Sequence, residues 1–204
     1  MRSYSNKITL TENGRGIWTI DPIMGCSSGV KNDKKGCFSD CYAARNARIY
    51  GYDFTENVLR DFESEKHLQS IIRKANKLEF EFIRMGNSGD PSENWEHTIN
   101  ILEKLKPINK EIVIITRHWN KLNLEQLNRI SKLNVCINTS ISPIDTDLHS
   151  NIEQYELLKK YCKSILRCVS FDFNTKNKKG MDYEDIQTWI FHNYDVLDTV
   201  FRCS

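Results

Sequence analysis

The feature that most constrains the fold of this chain is a regular alternation of short apolar runs with segments of helical spacing. Six runs have the length and composition of β-strands: residues 16–23, 78–85, 111–117, 134–142, 164–173 and 198–203. Strands that alternate with helices are typical of a parallel sheet. No stretch has the composition of a linker, so we expect one α/β domain over residues 1–204.

The segments between these runs are expected to be helical. Helices are predicted over residues 54–77, 92–105, 122–133, 152–162 and 183–192, where apolar residues recur three and four positions apart. A further helical pattern begins at Tyr42. Either Asp90 or Ser92 is a suitable N-cap for the helix that follows the second strand.

Two main architectures have this alternation: an open doubly wound sheet and a partial (β/α)6 TIM-like barrel. An eight-unit barrel typically has ~250 residues, so six units within 204 residues would leave a barrel open. The continuous apolar run at 111–117 predicts a parallel strand that is covered on both faces. In either architecture, ligands bind at the C-terminal ends of the strands. We therefore expect the functional residues at that edge of the sheet.

The composition argues against several classes of partner. The formal net charge is +2, which gives no electrostatic basis for binding nucleic acid or an anionic membrane. No apolar run approaches the ~20 residues that span a bilayer, and the N-terminus lacks the apolar core of a signal peptide. We therefore expect a cytoplasmic protein. In that reducing compartment, clustered cysteines more often bind metal or do redox chemistry than form disulfides.

Polar residues concentrate where the predicted strands end. The first strand is followed by residues 24–43, here called the cysteine loop, which contain three of the seven cysteines. The later strands end in three polar groups: the turn formed by Gly86, Asn87, Ser88, Gly89, Asp90 and Pro91 (the 86–91 turn), then Thr116, Arg117 and His118, then Asn138, Ser140 and Ser142. Because the C-terminal ends of parallel strands share one edge, these side chains are expected to surround one site.

The cysteine loop carries Cys26, Cys37 and Cys41, with ten and then three residues between them. Structural zinc sites usually present two close pairs of ligands, whereas only Cys37 and Cys41 form a close pair here. Three thiolates without an obvious fourth ligand suit an iron–sulfur cluster whose last iron binds an exogenous ligand. The alternative is a zinc ion that staples the loop, with Cys203, His67 or another distant residue as fourth ligand.

Other cysteine and histidine residues are assigned from their surroundings. Cys136, Cys162 and Cys168 lie in apolar segments and are expected to be small core residues. His118 and Cys203 lie at strand ends on the functional edge, and the sequence alone assigns neither of them a role.

These motifs resemble those of the radical S-adenosylmethionine enzymes, in which three cysteines follow the first strand of a partial (β/α) barrel. The 86–91 turn is similar to the Gly-Gly-Glu-Pro segment of that superfamily. Closer still are phage- and plasmid-borne radical-SAM-like proteins of unknown function, whose Gly-Cys, Gly-Cys and Cys-Tyr-Ala motifs match 25–26, 36–37 and 41–43. Two features depart from the superfamily, in which three and then two residues separate the cysteines and Glu stands where this chain has Asp90.

The resemblance implies a partial (β/α)6 barrel in which Cys26, Cys37 and Cys41 hold a 4Fe–4S cluster. The open iron would bind the amino and carboxylate groups of S-adenosylmethionine. Reductive cleavage of that cofactor would give a 5′-deoxyadenosyl radical that abstracts hydrogen from a substrate. An electron donor such as flavodoxin or ferredoxin is implied as a partner. The substrate, whether a small molecule or a macromolecule, and any catalytic residue of this chain are left unidentified.

The other strand ends would bind the cofactor. The ammonium group is assigned to the backbone carbonyls of the 86–91 turn or to Asp90. The carboxylate is assigned to Arg117, because a guanidinium offers a matched pair of donors. Asn138, Ser140 and Ser142 are candidates for hydrogen bonds to the ribose or the carboxylate. Two alternatives to the enzyme remain: a zinc-stapled α/β binding module, and a degenerate relative that keeps the fold and cluster without catalysis.

Overall fold

The computed structural model describes residues 1–31 and 41–202, and its centre is a seven-stranded sheet. In spatial order the strands are β1 (Thr11–Glu12), β2 (Trp18–Thr19), β5 (Phe82–Met85), β6 (Glu111–Thr116), β7 (Val135–Ile141), β8 (Lys163–Phe171) and β9 (Val196–Arg202). Two further strands, β3 (Ile23–Met24) and β4 (Val58–Leu59), pair with each other in an antiparallel ribbon.

The main sheet is parallel apart from one edge strand. β1 pairs antiparallel with β2, and every later neighbour from β2 to β9 pairs in parallel. Each parallel strand lies beside the one that precedes it in this sheet, without the reversal of order that defines a doubly wound sheet. The predicted α/β class with parallel strands is confirmed. Among the described residues, β1 and β9 form the two edges of the sheet.

Helices connect the parallel strands as the sequence predicts. They are α1 (Ser27–Lys31), α2 (Tyr42–Ile49), α3 (Glu65–Asn76), α4 (Trp95–Lys104), α5 (Leu124–Ile130), α6 (Leu148–Leu158) and α7 (Lys178–Asn193). A short 3-10 turn at Pro91–Asn94 leads into α4, and the Asp90 carboxylate caps it by accepting from the Ser92 N–H. No helix among the described residues is long and apolar enough to cross a membrane.

The prediction of one helix over residues 54–77 is wrong in its first half. Val58 and Leu59 form β4, whose backbone pairs with β3, and α3 begins only after Ser64. The Ser64 hydroxyl accepts from the His67 N–H, which is the usual N-cap arrangement. The segment is therefore helical only after Ser64. Before that residue, the pairing of β4 with β3 determines its structure.

The predicted first strand, 16–23, is likewise divided. Its first part is β2, and its last residue, Ile23, belongs to β3 of the separate ribbon. Between them lie Asp21 and Pro22, and a proline has no N–H with which to continue a ladder. The chain therefore leaves the main sheet just before the cysteine loop begins.

The two faces of the sheet have different surroundings. One face packs against the helices through fully buried side chains, among them Ile83, Met85, Ile112, Ile114 and Ile137. The intervening residues of the same strands point to the opposite face. In β6 the two sets alternate strictly between buried and half-buried. Both faces of 111–116 are therefore covered, as expected, but to different degrees: one set of side chains is buried and the other is half-buried.

The cysteines assigned to the core lie there. Cys136 and Cys168 are buried, Cys168 in a second, smaller apolar cluster, and Cys162 is half-buried against the main one. Burial raises the pKa of the Cys136 and Cys162 thiols to about 11. These thiols therefore stay protonated at neutral pH, as expected of structural rather than reactive cysteines.

Candidate functional site

An open cavity lies on the face of the sheet opposite the main apolar cluster. Its walls enclose about 880 Å³ of space, part of which is open to solvent. Nine of the predicted site residues line it: Cys26, Cys41, Gly86, Asn87, Gly89, Asp90, Arg117, Ser140 and Ser142. Ser88, Pro91 and Asn138 do not line it, and Cys37 lies outside the described residues.

The two ends of the cysteine loop both bind the 86–91 turn. At its start, the Gly25 N–H donates to the Ser88 carbonyl at 3.0 Å, and Gly25 forms a parallel bridge with Gly89. At its end, the Tyr42 hydroxyl donates to the Asn87 carbonyl at 2.5 Å. These contacts join segments more than forty residues apart in the chain, and they hold the cysteines beside the turn.

Cys26 and Cys41 share an apolar environment. Both pack in one small cluster with Ala44 and Phe54, and Cys26 is buried while Cys41 is half-buried. Gly29 leaves room beside the first thiol, because a Cβ at this position would lie only 2.8 Å from the Cys26 Sγ. Two soft thiolate ligands packed against apolar side chains suit an iron–sulfur cluster, whose potential depends on solvent exposure.

The described residues do not complete a metal site by themselves. No group of three His, Cys, Asp or Glu side chains within 1–31 and 41–202 is arranged to hold a metal ion. Cys37, the third predicted ligand, and Cys203, a candidate fourth ligand for zinc, lie outside those ranges. His67, the other named candidate for zinc, does not line the cavity, and its Nδ1 accepts from the Glu63 N–H at 3.2 Å.

The 86–91 turn is held in place by Asp21, which sequence reasoning did not single out. The buried Asp21 carboxylate accepts from the backbone N–H groups of Gly86, Asn87 and Ser88 at 2.8, 3.0 and 3.1 Å. Burial raises the pKa of Asp21, whereas the three donors and the nearby Arg60 act in the opposite direction. A single carboxylate therefore fixes the conformation of three consecutive peptide units.

Gly86 and Gly89 are required by close backbone approaches. Gly86 has φ of +90°, and a Cβ there would lie 2.2 Å from the Ile115 carbonyl oxygen. A Cβ at Gly89 would lie 2.4 Å from the Ile23 carbonyl oxygen. A side chain at either position would collide with backbone atoms that cannot easily move. Only glycine therefore lets the turn pack directly between β6 and the start of the cysteine loop.

The Asp90 carboxylate is already satisfied within the protein. It accepts from the N–H and hydroxyl of Ser92, the hydroxyl of Thr116 and the N–H of Arg117, at 2.7–2.9 Å. Burial raises the pKa of Asp90, and these four donors oppose that effect. Of the two predicted acceptors for a ligand ammonium, this geometry favours the carbonyls of the turn over Asp90.

Arg117 and Ser142 meet at Asp145. The Arg117 guanidinium pairs with one oxygen of the Asp145 carboxylate, and the Ser142 N–H donates to the other at 2.7 Å. The Ser142 hydroxyl donates to the Val169 carbonyl at 3.1 Å. Both predicted residues line the cavity, but their principal polar groups also bind the protein itself.

Asn138 and Ser140 lie on the same face of β7 with different surroundings. The Asn138 amide donates to the Asp198 carboxylate at 2.9 Å, and its Oδ1 is buried without a partner among the described residues. The Ser140 hydroxyl lines the cavity and makes no side-chain hydrogen bond to another described residue. Of the two, Ser140 is therefore the better placed to bind a ligand.

Glu93 anchors the segment that follows Cys26. Its carboxylate accepts from the Ser28 N–H at 2.7 Å, from the Ser28 hydroxyl at 2.9 Å and from the Asn57 amide at 2.8 Å. It lies just beyond the 86–91 turn, so one short stretch of chain binds both sides of Cys26. A glutamate in the first turn of a helix gives no sequence signal for this role.

His118 does not line the cavity. Its Nε2 lies 2.9 Å from the Thr139 hydroxyl, and its ring packs at 6.0 Å from that of Trp95 on the side of the helices. Burial lowers the pKa of His118 to about 3, so the imidazole is neutral at physiological pH. Its φ of +53° lies in the left-handed region, directly after β6 ends.

Two further cavity residues, Arg84 on β5 and Arg167 on β8, were not predicted. Each lies within a strand, whereas the strand order predicts ligand-binding residues at strand ends. The alternation of side chains along a strand would have indicated them, because Arg84 shares its face with Gly86, two residues further on.

No family model matches the chain, and no curated protein or solved structure matches it either. Function must therefore be argued from the geometry of the cavity.

Proposed function

We propose that this protein is a radical S-adenosylmethionine enzyme built on a partial (β/α)6 barrel. The observation that carries the proposal is the convergence of Cys26, Cys41 and the 86–91 turn on one cavity at the C-terminal ends of parallel strands. A zinc staple would give no reason for the Gly25–Ser88 and Tyr42–Asn87 contacts that join the cysteine loop to this turn. The sequential strand order supports the barrel, since it is the order in which barrel strands follow one another.

Cys26 and Cys41, with Cys37, would hold a 4Fe–4S cluster. The chemistry that such a cluster and S-adenosylmethionine supply together is one-electron cleavage of the sulfonium C–S bond, which gives methionine and a 5′-deoxyadenosyl radical. The electron would come from a reduced flavodoxin or ferredoxin. The apolar side chains around the two thiols, Ala44 and Phe54, would exclude water from this chemistry.

The protein would orient the cofactor through the neighbouring strand ends. The carbonyls of Asn87 and Ser88 already accept from Tyr42 and Gly25, so the ammonium group would bind the remaining carbonyls of the turn. The Ser140 hydroxyl would donate to the ribose or the carboxylate. Arg117 would bind the carboxylate of the cofactor. Its ion pair with Asp145 would fix the orientation of the guanidinium.

The test is anaerobic reconstitution with iron and sulfide, followed by addition of dithionite and S-adenosylmethionine. We expect a brown protein that releases 5′-deoxyadenosine at a rate above that of the protein-free mixture. A colourless protein with stoichiometric zinc would replace this proposal with a zinc-stapled binding module. A stable cluster that binds S-adenosylmethionine but never cleaves it would identify a degenerate relative without catalysis.

A further inference from the structure

Three arginines line the cavity from three different strands or strand ends: Arg84, Arg117 and Arg167. A guanidinium stays charged at every physiological pH, and its burial is costly unless an anion compensates it. Arg117 pairs with Asp145, and the Nε of Arg167 lies 3.4 Å from the Asp198 carboxylate. Each of these two arginines therefore has a carboxylate of its own chain.

Arg84 differs from both in its charge partner. Its half-buried side chain lines the cavity, and its Nε is buried without a hydrogen-bond partner in residues 1–31 and 41–202, a feature that it shares with Arg117 and Arg167. No carboxylate within those ranges forms an ion pair with it. The two buried carboxylates beside the 86–91 turn already have partners, because Asp21 accepts from the turn and Asp90 accepts from four donors.

Two further hydrogen-bond donors line the cavity with Arg84. The Ser140 hydroxyl lines the same cavity, and the register of β7 and β8 places Ser140 directly beside Arg167. Burial raises the pKa of the Tyr42 hydroxyl and Asp21 adds to that effect, whereas Arg84 and Arg167 oppose it, so both arginines face the part of the cavity where Tyr42 lies. This combination of two cations and a hydroxyl is complementary to an anion.

The position of Arg84 separates it from the cofactor region at the rim. Arg84 precedes Gly86 by two residues, and a strand rises about 3.3 Å per residue, so its Cα lies roughly 7 Å deeper along β5 than the turn. The 86–91 turn, Cys26 and Cys41 occupy the rim. A ligand held by Arg84 would therefore lie deeper in the cavity than a cofactor bound at the turn. A radical generated at the rim would meet its substrate at that depth.

We propose that the substrate of this enzyme is a small acid whose carboxylate or phosphate binds Arg84, with Arg167 and Ser140 as further donors. Its identification as a substrate rests on the proposed function, whereas the anion site does not. Arg84 supplies the charge that no described carboxylate satisfies, and its fork of N–H donors matches the paired oxygens of either anion. The acid would thus compensate the positive charge of Arg84, with which no described carboxylate forms an ion pair.

The anion site is tested by calorimetry on the full-length chain as purified, before any reconstitution. Inorganic phosphate and succinate are titrated separately at constant ionic strength, so that the two chemistries are compared directly. We expect at least one of them to bind, and Arg84→Gln to weaken that binding by about tenfold or more, with partial retention in Arg84→Lys. Arg73→Gln, an exposed arginine on α3, is the matched control and should change it by less than about twofold.

Two results would overturn the inference. One is absence of binding of both anions, or equal affinity in wild type and Arg84→Gln. The other is competition between the anion and S-adenosylmethionine in reconstituted protein, which would assign Arg84 to the carboxylate of the cofactor. Simultaneous binding of the two supports a separate substrate subsite. If S-adenosylmethionine is not cleaved although the anion binds through Arg84, the radical function fails and the anion site stands.

Discussion

The two faces of the central sheet are made from the same strands and have opposite roles. On the helix side, Ile83, Ile112, Ile114 and Ile137 are fully or almost fully buried within one apolar cluster. On the cavity side, the alternate positions of the same strands include Arg84, Asn138, Ser140 and Arg167. Side-chain alternation along a strand lets one short sequence contribute to both faces.

This difference separates the residues that stabilise the fold from the residues that form the candidate site. The helix face buries apolar area at every strand, which is the main source of folding free energy. The cavity face keeps charged groups that add little or nothing to stability, and one of them, Arg84, has no carboxylate partner among the described residues. Substitutions on the two faces should therefore have different consequences, and four pairs of measurements test this separation from the largest effect to the smallest.

The largest effect is expected on the helix side. Ile114→Ala should lower the free energy of unfolding by about 2–5 kcal/mol, because the fully buried side chain leaves a cavity between sheet and helices. Val113→Ala, its half-buried neighbour on the other face, should cost no more than about 1.5 kcal/mol. Urea unfolding measures both. Equal losses would contradict the difference between the faces.

The second effect concerns the carboxylate that holds the 86–91 turn. Asp21→Asn should cost about 2 kcal/mol, because an amide nitrogen would face backbone N–H groups that now donate to a charged oxygen. Affinity for S-adenosylmethionine, measured by calorimetry on reconstituted protein, should fall with it. Asp182→Asn, an exposed aspartate on α7, serves as the control and should change neither quantity. An unchanged affinity in Asp21→Asn would show that the turn does not bind the cofactor.

The third effect is a pH dependence that originates on the helix side. Because the pKa of His118 is lowered to about 3 by burial, the folded protein keeps the imidazole neutral while the unfolded chain protonates it below about pH 6.5. Stability from this group is complete above pH 6.5 and falls as the pH drops toward 3, by up to about 1.4 kcal/mol per pH unit. His118→Asn, which tolerates the positive φ, should flatten the pH profile of unfolding between pH 6 and 4. The same slope in both proteins would exclude His118 as its source.

The smallest effect is expected at the contact between the cysteine loop and the turn. Tyr42→Phe removes the hydroxyl that donates to the Asn87 carbonyl and should cost about 1 kcal/mol in the free energy of unfolding. Tyr50→Phe, at an exposed tyrosine just after α2, is the control and should have no measurable effect. If both variants are as stable as the wild type, the hydroxyl contact does not help to fix the loop.

Much of the fold is predictable from local sequence pattern. The strands from 78–85 onward form because their apolar runs are bounded by turn residues, and their C-terminal ends bring Cys26, the 86–91 turn, Arg117 and Ser140 to one cavity as predicted. The segment 54–77 was misassigned in part, because pairing of β4 with β3 is a tertiary contact that spacing does not record.

The supporting residues of the site were not predictable in the same way. Asp21 binds N–H groups 65–67 residues further along the chain, and Glu93 binds Ser28 at a separation of 65. Such partners become apparent only when the fold brings them together. Arg84 was missed for a different reason, since it lies inside a strand and its exposure to the cavity depends on which face the helices cover.

The central claim is that the cysteine loop holds an iron–sulfur cluster beside the 86–91 turn. The most direct test is the iron and acid-labile sulfide content of anaerobically reconstituted protein. Wild type and Cys162→Ala should each contain about four iron and four sulfide per chain, the composition of a 4Fe–4S cluster. Cys26→Ala, Cys37→Ala and Cys41→Ala should each lose it. Retention of the same content in all these proteins, or zinc in place of iron in the wild type, would contradict the account.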